Sequence, residues 1–435
     1  MEGRQMDELA EIRLTARHKG LPQRAVGMTT AEFLASGPRL SEFWSPLVVL
    51  DDAAMRHNVE VMANWCTERG LELMPHGKTT MAPSLWQRQV DAGSLGITLA
   101  TMGQVRTART FGVSSIMLAN AAVDGHSLRY LAGELADSDF RFVCWADSVA
   151  TVEAMEAPLR DAATPRQVDV LVELGGEGGR TGARTIDEAI AIAERIAASD
   201  VLRLAGVAGY EGSLAHDRSA PAIDAVETYL RRQIELHERI GHLYDDGDVY
   251  VTAGGSAFFD LVAKVYAEAG AAADAADRLG GGRTLFTLRS GAYIVHDDGF
   301  YRGISPFDEA RASDDEPRFV SGMFGVGRVV SHPEPGLALI DGGKRDFPFD
   351  EGLPIPRGTS TELGAAWQPL PGASVSAMND QHSYVRLEDG SELAIGDLVR
   401  LGLSHPCTAF DKWSVLPVVE SVDSDVVVDL VHTFF

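Results

Sequence analysis

The chain carries only three cysteines in 435 residues, Cys66, Cys144 and Cys407. They are too few and too scattered for a disulfide framework, and the odd count fits a reducing compartment. Positive charge is also scarce: 38 Lys and Arg stand against 63 Asp and Glu, a formal net charge of -25. Such a surface repels polyanions, which argues against nucleic acid or an anionic membrane as partner. Long apolar runs are missing as well. No stretch reaches the roughly 18 apolar residues of a membrane span, and Met1 to Gly20 contains no apolar core of a secretory leader. A cytoplasmic protein is the expectation.

What is present is an ordinary globular composition, 45% hydrophobic and 23% charged, able to bury a full core. The length exceeds a usual single domain, so one large domain and a smaller one are expected. Short apolar runs alternate with helical patterns from Leu71 onward, the rhythm of a parallel sheet. Candidate strands are Leu71 to Met74, Gly96 to Leu99, Ile116 to Ala119, Arg141 to Trp145, Val168 to Leu174, Leu204 to Ala208, Val249 to Thr252 and Leu285 to Leu288. Segments such as Pro83 to Ala92, Ile186 to Ala198 and Ala222 to Leu243 read as helices. Eight repeats match a (β/α)8 barrel, with its active site at the C-terminal strand ends. An open doubly wound sheet is the rival, because periodicity does not show closure.

After Ser305 the texture changes. Asp308 to Pro317 is acidic and linker-like. Val326 to Val330, Leu337 to Ile340, Ser383 to Leu387, Leu398 to Leu401 and Val415 to Val419 then read as strands between Gly and Pro turns. The expected division is a barrel over residues 45–305 and a mainly β domain built from 1–44 plus 306–435.

Three features carry chemistry. Pro75-His76-Gly77-Lys78-Thr79-Thr80 sets one lysine at the end of an apolar segment. A Schiff-base lysine there must be partly neutral, which a barrel mouth can arrange; a solvated surface lysine is the plain alternative. Val249 to Ser256 enters the pair Gly254-Gly255 ahead of a helix, where backbone N–H groups can approach a phosphate. Gly178-Gly179-Arg180-Thr181-Gly182 follows the fifth strand and can aim Arg180 into the mouth, or simply form a surface turn. A lysine, a phosphate loop and an arginine together describe a pyridoxal phosphate site. Separately, His405 and Cys407 stand at metal-ligand spacing, and imidazole with thiolate suits zinc better than magnesium or manganese.

These residues resemble the D-serine dehydratase and D-threonine aldolase family, pyridoxal phosphate enzymes with an alanine-racemase-like barrel and a C-terminal β-domain. The resemblance runs from about Pro46 to the C-terminus. It rests on His76-Gly77-Lys78-Thr79, Leu118-Ala119-Asn120, Gly209-Tyr210-Glu211-Gly212, Thr252-Ala253-Gly254-Gly255, Asp341-Gly342-Gly343-Lys344 and His405-Pro406-Cys407, in that order.

The resemblance implies that Lys78 holds the cofactor and acts as the base at Cα. It also implies that Arg180 contacts the cofactor ring, with Arg184 as the other available arginine. Tyr210, Gly254, Gly255 and Ser256 would surround the phosphate, and His405 and Cys407 would bind zinc. Dehydratase-type relatives resemble His-x-Cys and aldolase-type relatives His-x-Asp, so Cys407 favours elimination. The implied activity is D-serine dehydration to a keto acid and ammonia in a homodimer. A D-threonine aldolase or another D-3-hydroxy-amino-acid dehydratase is the enzymatic alternative. A non-catalytic pyridoxal phosphate carrier is the other alternative, against which the residues after Pro306 speak.

Overall fold

A computed structural model describes residues 8–275, 282–308, 311, 317–388 and 393–435. Most of the acidic run from Asp308 to Pro317 lies outside the described residues. The chain divides into two compact units, one of residues 63–78 and 89–291, the other of residues 1–62, 79–88 and 292–435. Strand β1 (Leu47–Asp51) belongs to the latter, whereas β2 (Glu72–Leu73) through β9 build the former.

That first unit is the barrel. Strands β3 (Ile97–Leu99), β4 (Ser115–Leu118), β5 (Arg141–Ala146), β6 (Val168–Leu174), β7 (Leu202–Gly209), β8 (Val249–Ala253) and β9 (Thr284–Leu288) pair in parallel with their sequence neighbours, and β9 returns to β2. The ring closes between β2 and β3. Leu95 N–H donates to Leu73 O and Thr98 N–H to Pro75 O, both at 2.9 Å, while Thr98 Oγ1 donates to Met74 O at 2.6 Å. All eight strands expected from the sequence are present, and closure excludes the open sheet.

The strands form because their apolar runs can be buried on both faces: β6, Val-Asp-Val-Leu-Val-Glu-Leu, exposes none of its residues. The interior packs Met74, Met117, Val143, Trp145, Leu171, Ala205 and Ala208 into one cluster. Outside it, helix Ile186–Ala197 covers β6 and β7 with Ala189, Ile192, Ala193 and Ile196, the i, i+3, i+4, i+7 stripe of an amphipathic helix. Thr185 and Glu188 close its start as a capping box.

The other unit is mainly antiparallel. Strand β1 lies at its centre, wholly buried, antiparallel to β10 (Met323–Glu334) and parallel to β17 (Val415–Val419). The sheet extends through β16 (Leu398–Gly402) and β12 (Ile355–Ser360) to β13 (Gln368–Pro369) on one side, and to β18 (Val427–His432) on the other. Strands β11 (Leu337–Asp341), β14 (Ser374–Met378) and β15 (His382–Arg386) branch from β10. The N-terminal segment is tied in by Thr30 Oγ1 to His432 Nε2 (2.8 Å) and by Leu40 N–H to Asp425 O (2.8 Å). Among the described residues no helix is long and apolar enough to cross a membrane.

One glycine sets the barrel's register. Between the Val170↔Leu204 and Val172↔Val207 pairs, β7 gains a residue, and Gly206 takes φ of +129° there. A Cβ at that position would stand 1.9 Å from Tyr250 O, so both the backbone angle and the neighbouring strand demand glycine. Gly206→Ala is therefore expected to destabilise the protein by about 2–4 kcal/mol in urea unfolding; a loss below about 0.5 kcal/mol would show that the bulge is not under this constraint.

Candidate active site

Lys78 sits in the single turn Gly77–Thr79, just past β2 at the C-terminal end of the barrel. The preceding chain is fixed to the last strand: Met74 N–H donates to Leu288 O and His76 N–H to Arg289 O. Gly291 makes the approach possible, since a Cβ there would lie 2.4 Å from His76 O. The His76 imidazole is held well below its usual pKa, first by burial and then by the positive charges of Lys78, Arg289 and Arg180. Those three cations thus act on one neutral ring. Its Nδ1 is buried without a hydrogen-bond partner.

Arg289 has no counterpart among the residues singled out from sequence. It follows β9 and is 4% exposed. Its guanidinium donates to Thr252 Oγ1 at 2.7 Å and to Gly209 O at 2.5 Å, and lies 4.8 Å from the centroid of the Trp145 ring. Burial lowers its pKa, and the charges of Glu211 and Glu173 oppose that shift. The indole N–H of Trp145 is also buried without a partner.

The turn after β8 is held by another residue to which the sequence alone assigned no role. Glu211, fully buried, accepts the Gly255 N–H at 2.6 Å and the Gly254 N–H at 3.1 Å. Ser290 Oγ donates to Gly254 O and Gly255 O from the other side. Gly254 takes φ of +97°, and a Cβ on Gly255 would come within 3.0 Å of the Tyr210 ring. The two N–H groups expected to face an anion therefore already face a carboxylate. Among the described residues the following N–H groups, of Ser256 and Ala257, have no acceptor; they precede helix Phe259–Ala275.

Arg180 and Arg184 play different parts. Arg184 donates to the carbonyls of Gly179, Arg180, Thr181 and Gly182 and so staples the glycine-rich loop. Arg180 is exposed and holds its guanidinium 5.0 Å from the Tyr210 ring centroid. Beneath the loop, burial raises the pKa of Glu173, which accepts from Thr181 Oγ1 at 2.6 Å.

The metal pair lies in the other unit. His405 and Cys407 share a hydrogen bond that, followed by the Asp350 carboxylate, pushes the imidazole up to about 9. His405 Nδ1 and Asp350 Oδ2 are 2.6 Å apart, Thr408 Oγ1 donates to Asp350 Oδ1 at 2.6 Å, and Cys407 Sγ reaches Thr79 Oγ1 at 3.4 Å. Among the described residues no group of three or more His, Cys, Asp or Glu could hold a metal ion. Two soft donors suit zinc in kind, leaving the remaining positions to water and substrate.

The barrel mouth fits an anionic aromatic cofactor. It is cationic, it holds unpartnered ring nitrogens at His76 and Trp145, and its glycine turn presents N–H groups at a helix start. Comparison with known proteins agrees. The family model for the alanine racemase N-terminal domain matches residues 50–263 and that for the serine dehydratase domain matches residues 322–419. The chain is similar to a D-threonine aldolase from Arthrobacter sp, 27% identical over 88% of this chain and 91% of the relative. It is also similar to a D-threo-3-hydroxyaspartate dehydratase from Delftia sp. (strain HT23), 24% identical over 87% and 96%. A solved D-threonine aldolase from Filomicrobium marinum shares the fold with a TM-score of 0.76 at 22% identity, covering 91% of this chain and 97% of its own.

His76 gives a pH test with a definite sign. A histidine whose folded pKa is depressed binds a proton more readily when unfolded, so its contribution to stability is lost as pH falls below about 6.5. His76→Gln is expected to flatten the acid side of the stability profile relative to the wild type in urea unfolding from pH 7.5 to 5. Parallel profiles would mean that His76 is not held neutral.

Proposed function

The chain belongs to the family that joins an alanine-racemase-like barrel to a serine dehydratase domain, and from that premise we propose that it is a pyridoxal-phosphate-dependent lyase of D-3-hydroxy amino acids. The observation that carries this reading is the barrel mouth, where Lys78, Arg180 and Arg289 act together on a neutral His76. The finer assignment is a zinc-dependent D-serine dehydratase. Cys407 supports it, because a His-Cys pair favours a softer ion than the all-oxygen sites of magnesium. The aldolase reading is favoured by a different observation, the identity to a D-threonine aldolase.

In this account Lys78 holds the cofactor and, once released from it, takes the proton from the substrate Cα. Bound pyridoxal phosphate supplies an electron sink for the charge that develops there. Tyr210, the Gly254–Gly255 turn and Ser256 hold its phosphate end, with the Ser256 and Ala257 N–H groups as the donors that remain beside Glu211. Arg180 faces the ring. Arg289 and Trp145 floor the mouth and keep it polar but dry. His405 and Cys407 would hold zinc, which supplies Lewis acidity for departure of a β-hydroxyl. D-serine would then yield one pyruvate and one ammonia, an atom-balanced elimination and hydrolysis. We also expect a homodimer in the cytoplasm, consistent with three unpaired cysteines and the acidic surface.

The test is product analysis with D-serine, L-serine and D-threonine before chelation, after it, and after zinc is restored. The expected result is zinc-dependent pyruvate and ammonia from D-serine alone, with Cys407→Ala losing metal and turnover but keeping the cofactor's visible absorbance. Glycine and an aldehyde from D-threonine would replace the dehydratase with the aldolase. Full activity in metal-free protein would remove zinc.

A further inference from the structure

The β-rich unit contains a cleft of about 500 Å³ that none of the chemistry above uses. One wall is ionic, with Asp297, Arg302, Arg357 and Arg400; another is apolar, with Phe319 and Met323. Three polar atoms on the ionic wall, Asp297 Oδ2, Arg357 Nε and Arg400 Nε, are buried without a hydrogen-bond partner. Leaving one such atom buried and unpaired typically costs about 1–3 kcal/mol, and more when it is charged, so three in one place call for a ligand.

The surroundings show why these atoms are held open. Arg357 on β12 and Arg400 on β16 come from paired strands, with Gly358 opposite Arg400. Asp298 Oδ1 accepts Arg357 Nη2 at 2.5 Å and Arg302 Nη1 at 3.4 Å, which anchors the fork of Arg357 but leaves its Nε–H facing the cleft. Asp297 is 1% exposed. Its Oδ1 accepts the N–H groups of Gly299 at 3.0 Å and Tyr301 at 2.8 Å, so the carboxylate cannot turn to satisfy Oδ2 without losing two bonds. Burial pushes its pKa up to about 6, and near neutral pH it is an acceptor. His296 immediately before it takes φ of +35°, a left-handed angle uncommon in non-glycine residues and recurrent at binding sites.

We propose that this cleft binds a small organic carboxylate with a hydroxyl or amino group beside the acid: the carboxylate takes the Nε–H donors of Arg357 and Arg400, and the neighbouring donor takes Asp297 Oδ2. The apolar wall selects a carbon skeleton over an inorganic anion. Two arginine donors supply the charge complement, and the fixed acceptor supplies the discrimination, since a site built around a buried polar atom rejects the analogue that leaves it unpaired. The site does not depend on the reaction assigned to the barrel.

Isothermal titration of the full-length holoenzyme with L-malate, succinate and inorganic phosphate tests this. One malate per chain is expected, at least tenfold tighter than succinate, which lacks the hydroxyl, and than phosphate. Asp297→Asn keeps an oxygen for the Gly299 and Tyr301 N–H groups but puts an amide donor in place of Oδ2, and should erase the preference for malate over succinate. Arg400→Gln should weaken malate at least tenfold with the cofactor absorbance unchanged; if that variant does not fold, Arg400→Lys, which keeps the charge without the guanidinium Nε–H, serves the same purpose. Absence of malate binding, equal binding of phosphate, a preserved preference in Asp297→Asn, or full affinity in both Arg400 variants would each overturn the proposal.

Discussion

A guanidinium buried at the end of a barrel strand is the constraint on which the rest of the site depends. Arg289 has given up its water, so its donors must be met inside the protein. They are met by Gly209 O and Thr252 Oγ1, at the ends of β7 and β8, which fixes the spacing of three strand ends at once. Its charge is opposed by two buried carboxylates, Glu211 and Glu173. Both carboxylates also shape the mouth, Glu211 by ordering the Gly254–Gly255 turn and Glu173 by receiving Thr181 from the loop that carries Arg180. The same positive charge helps keep His76 neutral, and His76 N–H bonds to Arg289 O. Lysine, glycine turn and arginine loop are thus three spokes of one buried ion network.

That arrangement explains an otherwise odd feature. A glycine turn ahead of a helix is a good anion site, yet its first two N–H groups are engaged by Glu211. A carboxylate there fixes the turn before any ligand arrives, so the next N–H groups of the turn are already oriented. Preorganised donors are worth more than donors that must be ordered on binding.

Much of the fold was legible because the barrel strands are short, continuous apolar runs set between amphipathic helices. Val168–Leu174 is such a run, and Ile186–Ala197 shows a plain helical stripe. Strand Ile355–Ser360 was not legible: Pro356 and Gly358 interrupt it, and it forms because Leu398–Gly402 offers a partner across a register shift. Strands Leu47–Asp51 and Val427–His432 are apolar enough to have been read, and only their long-range pairing with Val415–Val419 gives them meaning. Within the site, Lys78, Arg180, Tyr210 and the glycine pair were visible as motifs. Arg289 was not, since one arginine after a strand looks like a solvated end until closure of the ring buries it. Arg184 and Arg180 were indistinguishable in sequence, and the four carbonyls around Arg184 separate them.

The central claim is that Lys78 is the residue that holds the cofactor. Borohydride reduction of the holoenzyme followed by peptide mass mapping tests it most directly, because reduction makes the bond between cofactor and lysine permanent. The account predicts a single pyridoxyl-phosphate mass increment on the peptide containing Lys78. An increment on another lysine, or none on a protein that binds the cofactor, would contradict it.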